Sequence, residues 1–170
     1  DPLTGYLWDT ENGPSRFDEV NLVRPGFNSG WYTVMGPMLL NGKTEDDLVS
    51  FDGKGKYSDP EFEWTYTLGP TAVKFLNSDK LGAEYVNDMF VTDIVTGRIY
   101  HFDLTQDRKD LILPKELSSR VIETPSSAGV NSIVFGEGFG GITDIEVGPD
   151  GNLYIVSIGL GSIYQISLAS

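Results

Sequence analysis

The sequence predicts an all-β fold in which antiparallel four-stranded sheets form about three blades of a β-propeller. Apolar runs that enter and leave through turns recur along the chain, and the aromatic residues Trp8, Phe90 and Tyr154 take equivalent places in them. Helix signals are confined to two short stretches. Strand-built units that repeat in this way are typical of propeller blades.

The first two units follow one scheme. The first is the run GYLWDTENG from Gly5. In the second, PTAVKFL leads through a loop at 77–86 into DMFVTDI, and the turn Val95–Gly97 leads into RIYHFDL. Short apolar runs separated by turns that contain glycine are typical of antiparallel strands. We therefore expect one blade repeat near 1–40 and the next near 60–104.

The last unit, near 130–170, has the clearest pattern. The runs GITDIEV, NLYIVSI and SIYQISL are separated by turns at 148–151 and 159–161, which have the composition of tight hairpins. Side chains alternate along a strand, so Leu153 points one way and Tyr154 the other, and both faces are apolar. Such a sheet needs cover on both sides, as between propeller blades or in a sandwich.

The connections contribute little regular structure. TEDDLVSF and PKELSSRVI predict short helical turns that begin at Thr44 and Pro114. ETPSSAGVNS, at 123–132, predicts a loop before the last blade rather than a domain linker. We expect residues 1–170 to form a single domain, a partial propeller.

Composition excludes several classes of partner and site. The 25 Asp and Glu residues against 12 Lys and Arg residues give a net charge of -13, which repels nucleic acid and anionic lipid. This charge suits a cation site or simply a well-hydrated surface. The absence of cysteine excludes disulfides and zinc-thiolate sites.

No apolar run approaches the ~20 residues that span a membrane. The chain begins at Asp1 without Met or a signal-like stretch, so we expect a processing, cloning or reading-frame boundary there.

The opening loop carries the most specific motif, ENGPSRFDEVNLVRPGFNSGW. A Glu-x-Gly-Pro turn is followed by Asp-Glu, an aliphatic residue and Asn, and then by Gly-x-Asn-x-Gly-Trp. Together with NDMFVTDIVTGRIYHFDL and GFGGITDIEVGPDGNLYIVS, this motif resembles the soluble aldose sugar dehydrogenases that use pyrroloquinoline quinone (PQQ), the glucose/sorbosone dehydrogenase family. The matching residues of the motif are Gly13, Pro14, Asp18, Glu19, Asn21, Gly26, Asn28, Gly30 and Trp31.

The resemblance implies a fold, an activity and a location. Family members are six-bladed propellers that are usually exported, so the chain would correspond to the C-terminal half of one, in the periplasm or outside the cell. The parent activity is the oxidation of an aldose at its anomeric carbon to the lactone, with PQQ as the oxidant. A homodimer of this chain could complete a six-bladed ring.

The resemblance also implies metal and cofactor ligands. The carbonyls of the residues matching Gly13 and Pro14 hold a Ca²⁺ ion that also grips PQQ. Glu19 and a carbonyl near Ser29 belong to a second, structural calcium site, and Asp18 beside Glu19 completes the set of candidate ligands. Calcium takes six to eight oxygen ligands, and Gly and Pro allow a turn to aim its carbonyls inward. The alternative is that Asp18 and Glu19 only polarise a surface turn.

The family's other active-site side chains have no match. The catalytic His that takes the sugar hydroxyl proton has no counterpart, so no catalytic residue is assigned, and we expect His101 to be structural or solvent-facing. The positions of cations that contact the quinone carboxylates hold Val95, Gly141 and Thr143. Thr67 is the remaining candidate cofactor contact, although strand threonines more often serve packing.

Two functions therefore stay open. The first is a PQQ-dependent aldose dehydrogenase-like protein that is incomplete or inactive as it stands, with Ca²⁺ and PQQ as the family's cofactors. The second is a non-catalytic, calcium-stabilised propeller module that binds a carbohydrate or a protein partner. The missing cations favour the module.

Overall fold

The computed structural model describes residues 1–168, which are almost entirely strand, turn and loop. The strands are β1 Leu7–Glu11, β2 Asp18–Val23, β3 Phe27–Asn28, β4 Lys56–Tyr57, β5 Phe62–Trp64, β6 Pro70–Phe75, β7 Met89–Asp93, β8 Ile99–Leu104, β9 Leu111–Ile112, β10 Val121–Ile122, β11 Val134–Gly136, β12 Ile142–Val147, β13 Leu153–Ser157 and β14 Ser162–Ile166. The helices are α1 Met38–Asn41, α2 Val130–Ile133 and three 3₁₀ turns, Glu45–Asp47, Ala83–Tyr85 and Lys115–Leu117.

Three sheets stack in chain order. The first has the strand order β1-β2-β5-β10, the second β11-β8-β7-β6 with β9 beside β8, and the third β12-β13-β14. The strand β6 contacts both β1 and β12, so the first strands of the three sheets lie toward a common axis. Inner strands of propeller blades are arranged in this way. The all-β partial propeller predicted from the sequence is confirmed.

The outer strands come from later in the chain than the sequence repeats suggest. The strand β5 pairs with β2 of the first sheet, and β10 then pairs with β5 in parallel. The strand β11 pairs with β8 of the second sheet. In the described residues the third sheet has three strands. The repeat ranges and the single domain over 1–170 stay predictions.

Apolar side chains fill the two spaces between the sheets. Between the first and second sheets, the rings of Phe62 and Phe102 and those of Trp64 and Tyr100 lie with centroids 5.1 Å apart, in edge-on or tilted contact. Such pairs bury large areas in favourable geometry. The layer between the second and third sheets consists of Leu76, Leu81, Phe90, Ile99, Ile142, Ile145, Leu153 and Ile155.

The connection between β2 and β5 covers the other face of the first sheet. It contains α1, the first 3₁₀ turn and the short parallel pair β3-β4. The predicted helix starts are confirmed, since Thr44 caps the first 3₁₀ turn and Pro114 precedes the third. The helices α1 and α2 each have four residues, too few to leave a periodic pattern in the sequence. No helix within residues 1–168 has the length and apolar character needed to span a bilayer.

Candidate metal centre

Acidic side chains line the face of the first sheet that points away from the second sheet. The strand register pairs Glu11 with Glu19 and Glu19 with Glu63, so three glutamates stand side by side on β1, β2 and β5. One pair further along, Asp9 lies opposite Asn21. Directly opposed side chains of one face have Cβ atoms ~5 Å apart. We call Asp9, Glu11, Glu19, Asn21 and Glu63 the carboxylate face.

The centre of the carboxylate face is buried. Glu63 is 1% exposed, Glu19 is 4% exposed and Asn21 is fully buried. The Gly36 amide donates to Glu19 Oε1 over 2.6 Å, and Asn21 Nδ2 donates to Glu19 Oε2 over 3.3 Å. In residues 1–168 no lysine or arginine forms a salt bridge with any of the carboxylates. Like charges placed opposite one another therefore stand without a compensating cation from the protein.

Several oxygens of the carboxylate face accept no hydrogen bond. Both carboxylate oxygens of Glu63, Asn21 Oδ1 and Asp9 Oδ1 are buried and lack a donor. A buried oxygen without a partner costs about 1–3 kcal/mol, and more when it is charged. Four such oxygens on one face indicate a site that a bound species would satisfy.

The environment raises the pKa values of these acids. The pKa of Glu19 is raised to about 7, chiefly by burial and to a smaller extent by the charges of Glu11 and Asp9. Hydrogen bonds from Gly36 and Asn21 act in the opposite direction and lower it. Burial, followed by the charges of Glu19 and Asp59, raises the pKa of Glu63 to about 8. Burial also raises the pKa of Asp9 and of Glu11. The metal-free site therefore holds protons near neutral pH, and a divalent cation would replace them.

The donor set fits calcium. Calcium takes six to eight oxygen ligands from carboxylates, amide carbonyls and backbone carbonyls, and the carboxylate face offers only oxygen of these kinds. Glu63 and Glu19 would supply carboxylate ligands, and Asn21 Oδ1 and Asp9 would complete the set from the neighbouring strands. Zinc, which favours sulfur and nitrogen ligands, is less suited to such a face.

The stability of the metal-free protein is expected to fall as the pH rises toward 8. The folded pKa values of Glu19 and Glu63, about 7 and about 8, lie above the ordinary value of 4.5, so the folded state binds these protons more tightly. The stabilisation is complete below pH 4.5 and is lost as the pH passes the folded values. Thermal unfolding in the presence of a chelator, between about pH 5 and about pH 9, measures this loss of stability. In the control with saturating calcium, stability should not decline over the same range. A flat profile in chelator would contradict the protonated site.

Two of the residues predicted from the opening motif reach the carboxylate face. Glu19 lies at its centre, between Glu11 and Glu63. Ser29 and Glu11 line one pocket, and a hydrogen bond from Ser29 lowers the pKa of Glu11. The metal roles of both residues stay predictions.

Asp18 lies on the opposite face, because neighbouring residues of a strand point to opposite sides. It is fully buried, and its oxygens accept hydrogen bonds from the amides of Gly13, Leu68 and Gly69 over 2.8, 2.6 and 2.7 Å. These bonds tie the turn at Gly13 to the segment that follows Thr67. Asp18 therefore fixes the backbone of these two segments, and its metal role stays a prediction.

The predicted cofactor residues Gly13, Pro14 and Thr67 lie on the two segments that the Asp18 carboxylate joins at one end of the first sheet. At Gly13, a Cβ atom would collide with the backbone carbonyl of Arg16, so the close turn requires glycine. Pro14 and Thr67 are exposed on the two segments that Asp18 links. Calcium and PQQ contacts of Gly13, Pro14 and Thr67 stay predictions.

The residues at the three positions where the resemblance predicts cations cannot form ion pairs with the quinone carboxylates. Val95 is an exposed apolar residue, and the Gly141 carbonyl accepts a hydrogen bond from the Ile158 amide. The Thr143 hydroxyl donates to the Val156 carbonyl over 3.3 Å, within the sheet. Guanidinium and ammonium groups are the usual partners of such carboxylates.

The two arginines closest in sequence to this end each have a neighbouring group, although Nη1 of Arg98 is buried without a hydrogen-bond partner. Arg98 pairs with Glu137 over 3.2 Å, and the Arg16 guanidinium lies 5.0 Å from the centroid of the Phe17 ring.

The most buried carboxylate among the ligand candidates, Glu63, is absent from the sequence prediction. Its signal is a carboxylate between two large aromatic residues in the run EFEW, where alternation places Phe62 and Trp64 in the core and Glu63 on the other face. The sequence analysis also did not predict that Asn21 lies opposite Asp9. His101, expected to be structural or solvent-facing, is half-buried on β8.

Comparisons with known proteins agree with this architecture. The family model for Glucose / Sorbosone dehydrogenase matches residues 1–165. The chain is similar to an aldose sugar dehydrogenase of Escherichia coli K12, with 24% identity over 160 residues, 92% of this chain and 36% of that protein. A structure from Thermus thermophilus, classed as an oxidoreductase (glucose dehydrogenase), shares 25% identity and a TM-score of 0.60, over 92% of this chain and 37% of that one.

A PQQ-bound aldose sugar dehydrogenase from Streptomyces coelicolor is similar in fold alone. It has a TM-score of 0.52 and 18% identity, over 89% of this chain and 34% of that one. The chain spans about a third of the length of the curated relatives it matches. Since the family model covers nearly all of the sequence, the chain belongs to the glucose/sorbosone dehydrogenase family.

Proposed function

We propose that this chain is a calcium-binding segment of a sugar dehydrogenase-like propeller and that it neither grips PQQ nor oxidises an aldose by itself. The observation that carries the proposal is the set of buried, unpartnered oxygens on the carboxylate face. Calcium there would bridge β1, β2 and β5 and replace the protons of Glu19 and Glu63. The ion would thus stiffen the first sheet and the connection that covers it.

The activity of a whole protein that contains this segment is part of the same proposal. It would oxidise an aldose at the anomeric carbon to the lactone, with PQQ as the group that accepts the hydride and with side chains that this segment lacks. Export to the periplasm or to the outside of the cell, which the resemblance implies, also belongs here. A homodimer is also part of this proposal. Val156 and Ile163 are exposed apolar residues on the outer face of the third sheet, and a second copy of the chain could cover them.

A non-catalytic carbohydrate-binding module is the second candidate, and a pocket beside the carboxylate face favours it. The pocket has a volume of about 430 Å³ and is lined by Asp9, Glu11, Asn12, Phe27, Asn28, Ser29, Trp31 and Phe51. Exposed aromatic faces beside carboxylates and amides suit a sugar, which offers apolar ring faces and hydroxyl groups. In this case calcium would support the wall of the pocket.

Calorimetry and a dye assay separate these two functions. For the calcium-loaded protein we expect no heat with PQQ, and no bleaching of a dye acceptor when PQQ and glucose are added. A calcium-dependent rise in melting temperature is expected for both functions. Heat on titration with glucose, lost in Trp31→Ala, would favour the carbohydrate module, whereas saturable PQQ binding or aldose-dependent bleaching would overturn the proposal that this chain does not hold the quinone.

A further inference from the structure

A second group of metal-ligating side chains lies on the second sheet, remote in sequence from the opening motif. Asp88 stands just before β7, and His101 and Asp103 share one face of β8. His101 Nε2 lies 2.9 Å from Asp88 Oδ2 and 3.7 Å from Asp103 Oδ1. One ligand atom of each residue lies within 4.8 Å of the other two.

Aromatic rings hold the imidazole in place. The rings of Tyr85, Phe90 and Phe135 have centroids 5.1, 5.2 and 6.5 Å from that of His101. Asp88 is 8% exposed, whereas Asp103 is exposed. The site therefore has two ligands fixed by packing and one that can rotate, which is the preorganisation that a metal site requires.

The charges in the cluster favour a cation. Arg108 lies close enough for the charge of Asp88 to act on it, but its guanidinium bonds to Asp1 and to the Asn87 carbonyl. In the described residues the His101 imidazole is the only basic side chain within salt-bridge distance of the two aspartates.

We propose that Asp88, His101 and Asp103 bind a divalent transition-metal ion of the Zn²⁺ type. A site of one imidazole and two carboxylates suits Zn²⁺, Co²⁺ or Cu²⁺, whereas Ca²⁺ prefers a set made only of oxygens. Rotation of the exposed Asp103 carboxylate brings the three ligand atoms onto one ion, and water fills the remaining positions. The ion ties the start of β7 to the end of β8, and it is distinct from the calcium proposed for the carboxylate face.

The test uses the purified protein in saturating calcium, which would occupy the oxygen-only site of the proposed function. Titration with Zn²⁺ by calorimetry is expected to show one ion per chain. His101→Gln and Asp103→Asn should each weaken binding by at least about tenfold, the loss that even an outer-shell partner causes. Asp79→Asn, an exposed aspartate outside the cluster, is the matched control and should bind as the parent does.

A spectroscopic readout assigns the nitrogen ligand. The chain has one histidine and no cysteine, so an imidazole coupling in the Cu²⁺ electron paramagnetic resonance spectrum can come only from His101. The coupling should be present in the parent and absent in His101→Gln. Absence of saturable Zn²⁺ binding, or unchanged binding in Asp103→Asn, overturns the proposal. If replacement of the half-buried His101 unfolds the protein, the variant Asp103→Asn still tests the proposal, because Asp103 is exposed.

Discussion

The variant Glu63→Gln is expected to lose most of its stabilisation by calcium while its metal-free stability stays within about 1 kcal/mol of the parent. In the metal-free protein the pKa of Glu63 is about 8, so the side chain is already protonated at neutral pH, and glutamine is a near-isosteric substitute for that form. Calcium needs the carboxylate, and glutamine cannot supply its charge.

The size of the effect follows from the linkage between binding and folding. At about 100 times the dissociation constant, calcium stabilises the parent by about 2.7 kcal/mol. For a chain of this size that corresponds to a rise in melting temperature of about 5–10 °C. Melting curves with and without calcium measure the rise in the parent and in Glu63→Gln.

Two controls make the result specific. Glu45→Gln changes an exposed glutamate of the connection that covers the first sheet and should respond to calcium as the parent does. Calorimetry in buffers of different ionisation enthalpy should show proton release on calcium binding near pH 7, because Glu19 and Glu63 exchange protons for the ion. A full calcium response in Glu63→Gln would exclude this residue as a ligand.

Replacement of Asp18 by alanine is expected to lower the free energy of unfolding by about 4 kcal/mol. Three backbone amides, those of Gly13, Leu68 and Gly69, donate to its carboxylate within 2.8 Å. Asp18 is fully buried, so alanine would leave amides without an acceptor where water cannot replace it. A loss of this size is a large share of the stability of an ordinary domain.

Conservative replacement refines the prediction. Asp18→Asn keeps one acceptor oxygen but presents its NH₂ group to donors, so we expect an intermediate loss of about 2 kcal/mol. Asp46→Asn, at an exposed aspartate, serves as the control and should unfold as the parent does. Urea unfolding measures all three variants, and parent-like stability of Asp18→Ala would show that the amides find other acceptors.

The difference between Asp18 and Glu19 shows what a strand pattern can and cannot decide. Alternation alone places the two carboxylates on opposite faces once β2 is recognised as a strand. It does not decide which face receives Asp9 and Glu63 or which receives the Gly13 turn. The pairing of β2 with β5 decides this, and it is fixed by the packing of Val20 and Phe62 in the core.

Local alternation and turn chemistry were enough to predict seven strands, β1, β6, β7, β8, β12, β13 and β14, together with the turns between them, the stacking of sheets and the motif that contains Glu19. They did not predict the strand β2 or the short strands β3, β4, β5, β9, β10 and β11. Only the tertiary structure placed Glu63 beside Glu19 across a connection of 38 residues, from 24 to 61. It likewise placed Asp88 beside His101. Such contacts arise from strand register and the packing of sheets, which short-range patterns do not encode.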